Sequence, residues 1–323
     1  MVAPPAVPQR TMTVILNVTL PVFAIIALGW TMGRLGVLGD AATEALNKFV
    51  YWVALPPALF LATARNPIAE FVNVPFLGAF LGSMLAVFAL GALLGRLLHR
   101  SPPEVMVMQA LNACFSNTGY MGIPLFIAAF GPQGVAPAAL ATVVMSAVMV
   151  GLAVVALELA GASGKGVAAA LGDVVRALGR NPLVVAPLAG LALSALGAPL
   201  PRPLVTFSEI TGAAAGPCAL FAIGLFLAGR PLTGQLGEVA WITALKLVVQ
   251  PALCWWLATR VFAMEPEWAA AAVILAALPT GALTFVVAQQ YRTYVEKTST
   301  AILVTTVVST VTLSFVLAAY VPG

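Results

Sequence analysis

Residues 104–130 read EVMVMQALNACFSNTGYMGIPLFIAAF, a run apolar enough to span a bilayer but interrupted in its middle. Five residues there oppose a continuous helix, three with competing side-chain oxygens and two as glycines: Ser116, Asn117, Thr118, Gly119 and Gly122. Pro124 lacks an N–H and restricts Ile123, which predicts a second half-helix with Pro124 at its first position. Freed backbone groups are costly in hydrocarbon, so this break must face protein or a polar cavity.

A second stretch has the same design. Residues 267–291 read EWAAAAVILAALPTGALTFVVAQQY, with Pro279 and Gly281 in the middle. Discontinuous helices at corresponding places in two halves mark a transporter's midplane binding site, where half-helix ends direct their dipoles at a ligand. The two broken spans therefore predict a transporter.

The composition excludes a soluble domain. Of 323 residues, 61% are hydrophobic and 8% charged, which is typical of an all-α polytopic membrane protein. Residues 1–13 are predicted to be a disordered tail. At about 20 apolar residues per span, the sequence predicts ten transmembrane helices at 14–33, 43–63, 72–98, 104–130, 136–158, 182–198, 205–228, 237–260, 267–291 and 298–320.

The basic residues set a predicted topology. One side carries Arg34, Lys48, Arg96, Arg100, Lys165, Arg176, Arg180, Arg230, Arg292 and Lys297. The other carries Arg10, Arg65, Arg202 and Arg260. The positive-inside rule then places the loop at 159–181 in the cytoplasm and both termini outside, in the inner (plasma) membrane. The net charge is +4, and the basic residues are scattered among loops, which argues against a nucleic-acid partner.

Weak internal echoes predict two repeats. Pro56 to Phe60 is echoed by Pro217 to Phe221, Asn17 by Asn181, and Pro124 by Pro279, at offsets of 161, 164 and 155 residues. The repeats are therefore predicted at 14–158 and 182–320. Because five spans is an odd number, the second repeat enters from the opposite side, and the two broken helices cross near the midplane.

Several motifs resemble the auxin efflux carrier family, which includes bacterial malonate and malate carriers and plant auxin exporters. They are Asn117-Thr118, Met121 to Leu125, Leu46 to Val50 with Leu55-Pro56, Asn66-Pro67, and Leu278-Pro279 followed by Gly281, Phe285, Val286, Ala288 and Tyr291. The resemblance implies a scaffold of spans 1, 2, 6 and 7 and a transport part of spans 3, 4, 5, 8, 9 and 10. It also implies a homodimer through the scaffold and an elevator-type movement of organic anions.

The chain departs from the plant carriers at two places. The loop at 159–181 is too short for a regulatory domain, and the third span contains no Asp or Glu where the plant carriers have an acidic residue. Coupling through such a carboxylate is therefore in question for this chain.

Polar residues beside the breaks are the candidate substrate site. They would hydrogen-bond a carboxylate, assisted by the half-helix dipole. The candidates are Asn112, Ser116, Asn117, Thr118, Gly119, Thr280, Gly281 and Thr284, with Gly122, Pro124 and Pro279 as the helix-breaking residues. The alternative is that these polar side chains join helices to one another, at about 0.6 kcal/mol each.

Lys246 is the one basic residue that no predicted loop contains. A lysine at this depth is costly and needs a partner or a water-filled cavity, and Gln250 lies one turn on. Its charge is predicted to replace a bound cation and attract the anion. Proton exchange by Lys246 is a second possibility, and a structural hydrogen bond to freed carbonyls of the broken helices is the alternative to both.

The sequence favours a secondary active or facilitative carrier of small organic anions without a cofactor or metal. An intramembrane enzyme is disfavoured because there is no intramembrane aspartate pair, no histidine-rich metal motif and no serine with a histidine base. An ATP-driven pump would need a P-loop, which is absent from the sequence. A substrate sensor built on a carrier fold stays open.

Overall fold

The computed structural model describes residues 18–65, 73–131, 134–161, 166–197, 199–229 and 236–320, and every regular element among them is a helix. In chain order the helices are α1 (Leu20–Arg34), α2 (Asp40–Ala64), α3 (Val74–His99), α4 (Pro103–Cys114), α5 (Thr118–Phe130), α6 (Val135–Leu159), α7 (Val167–Arg180), α8 (Pro182–Ala195), α9 (Arg202–Ala228), α10 (Gly237–Val261), α11 (Pro266–Ala276), α12 (Leu283–Tyr291) and α13 (Val295–Tyr320). The predicted tail at 1–13, the start of the first span, Asn17 and Lys165 lie outside the described residues.

Six of these helices are long and apolar enough to cross a membrane: α2, α3, α6, α9, α10 and α13. Helices α7 and α8, bent by 60° at Asn181, make a seventh candidate if they are counted as one. Helices α1, α5 and α11 are apolar but shorter. Length and composition thus identify six or seven spans within the described residues, because the broken helices fall below the length that a continuous span requires.

The segment predicted as a plain loop, 159–181, contains helix α7. One face of α7 packs on the protein through Ala170, while Val175 is 68% exposed and Arg176 and Arg180 are also exposed on other faces of the helix. Alternation of alanine and valine with charged residues at helical spacing accounts for this amphipathic helix. The 60° bend then turns the chain into α8.

The helices pack in two sets of neighbours. Helix α1 lies along α9, and α2 lies along α8. Elsewhere α3 packs on α4, α10 and α11. The α1–α9 contact depends on Gly29 and Gly224, because a Cβ at either position would approach a backbone oxygen of the other helix to 2.2 Å or less. Small residues of this kind let membrane helices approach closely where no hydrophobic driving force exists between them.

Among the described residues, three helices contain a complete π turn that ends two residues before a proline. Val50–Ala54 precedes Pro56, Thr118–Gly122 precedes Pro124, and Leu245–Val249 precedes Pro251. A proline removes one N–H and its ring clashes with the carbonyl four residues earlier. The wider turn shifts the hydrogen-bond pattern by one residue and accommodates the ring without ending the helix.

The prediction that Gly122 and Pro124 break the fourth span is therefore wrong. Helix α5 begins at Thr118, six residues before Pro124, and continues through both residues to Phe130. The interruption lies at residues 115–117, between α4 and α5. The π turn is the physical reason, because it lets the chain stay helical across the proline.

Candidate functional site

The two helix breaks lie against each other. We call residues 115–117 the first break and residues 277–282 the second break. Asn117 N–H donates to the Pro279 carbonyl and Gly281 N–H donates to the Phe115 carbonyl, both at 2.9 Å. Ser116 and Thr280 thus face each other as an isolated antiparallel bridge. The pairing satisfies backbone groups that both interruptions free, as the sequence requires for a break in an apolar surrounding.

Gly281 is required by this close approach. A Cβ at that position would lie 2.9 Å from the Ser116 carbonyl oxygen and 3.0 Å from the Phe115 ring. Those neighbours are backbone and a buried aromatic ring, so neither can move easily. The glycine predicted as a binding residue therefore has a steric function in the pairing of the breaks.

Each half-helix that enters a break ends with a freed carbonyl, and the two are capped differently. The Thr280 hydroxyl donates to the Asn112 carbonyl in the last turn of α4, at 2.8 Å. The Lys246 ammonium donates to the Ala276 carbonyl at the end of α11, at 2.7 Å. Lys246 is 0% exposed. This is the structural contact that the sequence offered as the alternative to a substrate role, and it places the Lys246 side-chain nitrogen beside the second break.

Helix α13 supports both breaks with threonine side chains that sequence reasoning missed. The Thr280 N–H donates to Thr305 Oγ1 at 3.1 Å, and Asn112 Nδ2 donates to Thr298 Oγ1 at 2.9 Å. On the other side, the hydroxyls of Thr118 and Thr142 lie 2.9 Å apart. Threonines at seven-residue spacing on one apolar span were the available signal, because such spacing places them on one helix face.

Several buried polar atoms beside the breaks have no hydrogen-bond partner among the described residues. They are Ser116 Oγ, Asn112 Oδ1 and both amide atoms of Gln250. Asn117 is 5% exposed. Buried polar groups are ordinarily paired, so unpaired ones in a native fold indicate water, an ion or a ligand. The predicted residues Asn112, Ser116, Asn117 and Thr280 thus come together around one point, with donor and acceptor capacity in reserve.

Other predicted residues lie near this point without facing it in the same way. Gly119 is in the first turn of α5 beside Thr142. The Thr284 hydroxyl donates to the Gly281 carbonyl, two residues before the start of its own helix, at 2.9 Å. Gly122 packs against Leu278 from within α5. These residues shape the backbone around the breaks.

A buried ionic cluster, which sequence reasoning also missed, lies at one end of α10. The Glu238 carboxylate is 2% exposed and accepts hydrogen bonds from Gln109, Lys297 and the Tyr294 hydroxyl, the last at 2.6 Å. Burial, and after it the Glu238 carboxylate, raises the pKa of Tyr294, so that the phenol stays a donor. The cluster joins α4, α10 and α13 one turn away from Asn112 and Thr298, and so steadies the helix that carries the first break.

A cavity of about 290 Å³ lies between α6, α7 and α12, bordered also by Tyr51 of α2 and Asn181. Its polar lining includes Ser146, Glu158 and Asp173. The cavity adjoins α12, the half-helix that leaves the second break.

Comparison with known proteins decides the family. The family description "Membrane transport protein" matches residues 14–317 of this chain. The chain belongs to this family of membrane transporters. It is the auxin efflux carrier family that the motifs around Asn117 and Pro279 resemble, and the assignment covers both breaks and nearly all of the chain.

Three relatives align with most of this chain over most of their own length. A Rhizobium meliloti protein named "Putative malonate transporter" is 34% identical over 303 residues, which cover 94% of this chain and 95% of the relative. The Escherichia coli (strain K12) "Uncharacterized transporter YfdV" is 28% identical over 302 residues, 89% of this chain and 91% of the relative. An uncharacterized transporter of Methanothermobacter thermautotrophicus is 24% identical over 91% of this chain and 94% of the relative.

Proposed function

We propose that this transporter is a secondary active or facilitative carrier of small carboxylate anions, with the paired breaks as the binding site. The observation that carries the proposal is a buried lysine at the end of one half-helix, beside unpartnered buried polar atoms of the other. A fixed cation and uncharged hydrogen-bonding groups suit a carboxylate, and a relative has malonate in its name.

In the proposed binding mode, the anion lies at the start of α5. Around the first turn of α5, the Thr118 N–H donates to the Ser116 carbonyl and the Met121 N–H donates to the Asn117 carbonyl, while the helix dipole favours negative charge at this end. Asn117 supplies an amide donor, and Lys246 supplies the positive charge from the opposite break. The lysine makes a bound metal cation unnecessary at this point, so we expect transport without a strict sodium requirement.

The proposed architecture has ten spans in two inverted repeats, with the breaks near the bilayer midplane. Antiparallel pairing of Ser116 with Thr280 supports this arrangement, because inverted repeats bring equivalent segments together in opposite directions. The packing of α1 on α9 and α2 on α8 supports a scaffold of spans 1, 2, 6 and 7. We propose that the remaining spans move against it as an elevator, and that two copies associate through the scaffold.

The proposed topology places both termini outside and α7 in the cytoplasm, on the inner (plasma) membrane. Single cysteines at positions 9 and 168 in a cysteine-free background test this arrangement. Maleimide reagents that cannot cross the membrane are expected to label position 9 from outside and position 168 only after the membrane is opened. Labelling of both positions from the same side would contradict the inverted repeats.

The transport proposal is tested by uptake into proteoliposomes. Purified protein is reconstituted, and uptake of radiolabelled malonate, malate and an aromatic acid is compared with that of protein-free liposomes. Saturable uptake of at least one acid is the expected result. Binding of an acid, measured by calorimetry, without any uptake would instead identify a sensor on a carrier fold. The absence of both binding and uptake for all of these acids would contradict the proposal.

A further inference from the structure

The backbone pairing of the two breaks has a local two-fold symmetry, but the side-chain hydrogen bonds around it are not symmetric. In the antiparallel bridge, Ser116 and Thr280 are equivalent positions, with reciprocal hydrogen bonds on either side. Thr280 uses its hydroxyl to cap Asn112, the residue four positions before Ser116. By the same symmetry, the carbonyl equivalent to that of Asn112 belongs to Ala276, the residue four positions before Thr280.

The Ala276 carbonyl is already occupied, however, by the ammonium of Lys246 at 2.7 Å. Ser116 is 0% exposed, and its hydroxyl has no partner among the described residues. A buried serine hydroxyl without a partner is costly, and the carbonyl that symmetry assigns to it is held by a charged side chain from another helix. The site therefore contains one more donor than this arrangement uses.

We propose that the Ser116 hydroxyl and the Lys246 ammonium are alternative partners of the Ala276 carbonyl. When Ser116 caps this carbonyl, as Thr280 caps Asn112, Lys246 is free to turn to a bound carboxylate. Without such a substitute, the lysine could reach the anion only by leaving a buried carbonyl unpaired, which would weaken binding. Ser116 is thus a positioning residue that acts through Lys246, and this part of the inference rests on the proposed function.

The exchange of partners can be tested without any anion, by thermal unfolding of the full chain in detergent. In the otherwise unchanged protein, Ser116→Ala is expected to leave the unfolding midpoint unchanged or to raise it slightly, because the hydroxyl has no partner to lose and is costly to bury. In a Lys246→Met chain, where only Ser116 can cap Ala276, the same change is expected to lower the midpoint by about 2 to 4 °C.

Ser116→Thr is the matched control in the Lys246→Met chain. It keeps the hydroxyl, as Thr280 does at the equivalent position. The unfolding midpoint of the double variant is therefore expected to equal that of Lys246→Met alone. Equal shifts for Ser116→Ala in the two backgrounds would overturn the proposal, because they would show that Ser116 and Lys246 do not share a partner.

A second arm measures malonate binding by calorimetry and also decides the matter if Lys246→Met does not fold. Ser116→Ala is expected to raise the Kd about fivefold or more, and Ser116→Thr to restore it. A change below about twofold, or failure of Ser116→Thr to restore binding, would overturn the link to the anion. If the unchanged protein binds no malonate, the proposed malonate substrate fails, and the anion-free cycle still decides whether the two groups exchange.

Discussion

The first and second breaks share one pairing but end their entering half-helices with different chemistry. At the first break, the freed Asn112 carbonyl is capped by a neutral hydroxyl, whereas at the second break the freed Ala276 carbonyl is capped by an ammonium group. A neutral cap completes the fold and does little else. A charged cap brings a positive charge into an apolar region, which under the proposed function favours an anion at the point between the breaks. In the proposed site, the second break therefore provides the charge that selects an anion, and the first break supplies the hydrogen-bonding side chains.

Removal of the charged cap should have the largest effect. Lys246→Gln keeps a hydrogen-bond donor for Ala276 but removes the positive charge, so anion uptake by proteoliposomes is expected to fall to that of protein-free liposomes. Lys48→Gln removes the same charge from an exposed position paired with Glu44, and is the matched control with unchanged uptake. Uptake by Lys246→Gln close to that of the unchanged protein would leave Lys246 with a structural role alone.

A smaller effect is expected at the first break. Asn117→Ala removes an amide from the point where the anion is proposed to lie, and should weaken malonate binding by about 1 to 3 kcal/mol. The unfolding midpoint should hardly move, because the break is paired through the Asn117 backbone and not its side chain. Calorimetry measures the first quantity and a thermal scan the second. Unchanged affinity would show that the second break alone recognises the anion.

Loss of the neutral cap should lower the stability of the folded protein. Thr280→Val leaves the Asn112 carbonyl without its partner and is expected to reduce the free energy of unfolding by about 1 to 2 kcal/mol. Thr306→Val is the matched control, because its buried hydroxyl donates to the Ile302 carbonyl within its own helix, where a helical partner remains. Equal losses in the two variants, measured by thermal unfolding, would mean that the cap contributes nothing specific to the break.

The smallest effect is expected at Pro124, although the sequence made it the centre of the first break. Since α5 runs through this residue after a π turn, Pro124→Ala should change the unfolding free energy by less than about 1 kcal/mol and leave uptake unchanged. A decrease of several kcal/mol in the free energy of unfolding, or a loss of uptake, would show that Pro124 contributes to the break after all.

The sequence was sufficient to locate both interruptions to within a few residues. Clusters of Ser, Asn, Thr, Gly and Pro in apolar runs oppose helices for local reasons, and those reasons operate unchanged in the folded chain. The prediction that Pro124 breaks the helix was wrong because the rule that proline ends a helix does not take into account the π turn that precedes it. The echo of Pro124 by Pro279, at 155 residues, was misleading in the same way, since the residues that face each other, Ser116 and Thr280, are 164 residues apart.

Contacts between helices could not be predicted in the same way. The partners of Glu238, and the use of Thr298 and Thr305 by the breaks, depend on the rotation and height of α13 against its neighbours. A single sequence gives the faces of each helix but not their mutual register. Lys246 is the intermediate case. The sequence showed that Lys246 lies deep in a span and therefore needs a partner. It did not show that this partner is the Ala276 carbonyl.

The π turn at Leu245–Val249 has a consequence for the direction in which α10 presents its side chains. One additional residue in a turn rotates everything beyond it by about 100°, since an α-helix advances 3.6 residues per turn. Lys246, within the turn, faces the end of α11, while Trp255 and Trp256 further along are exposed on the outer surface. Deletion of a single residue in this turn would leave α10 about as apolar and only one residue shorter, yet would rotate its tryptophans by about 100° relative to the helices that Lys246 contacts. The helix thus tolerates many substitutions there more readily than a change in length.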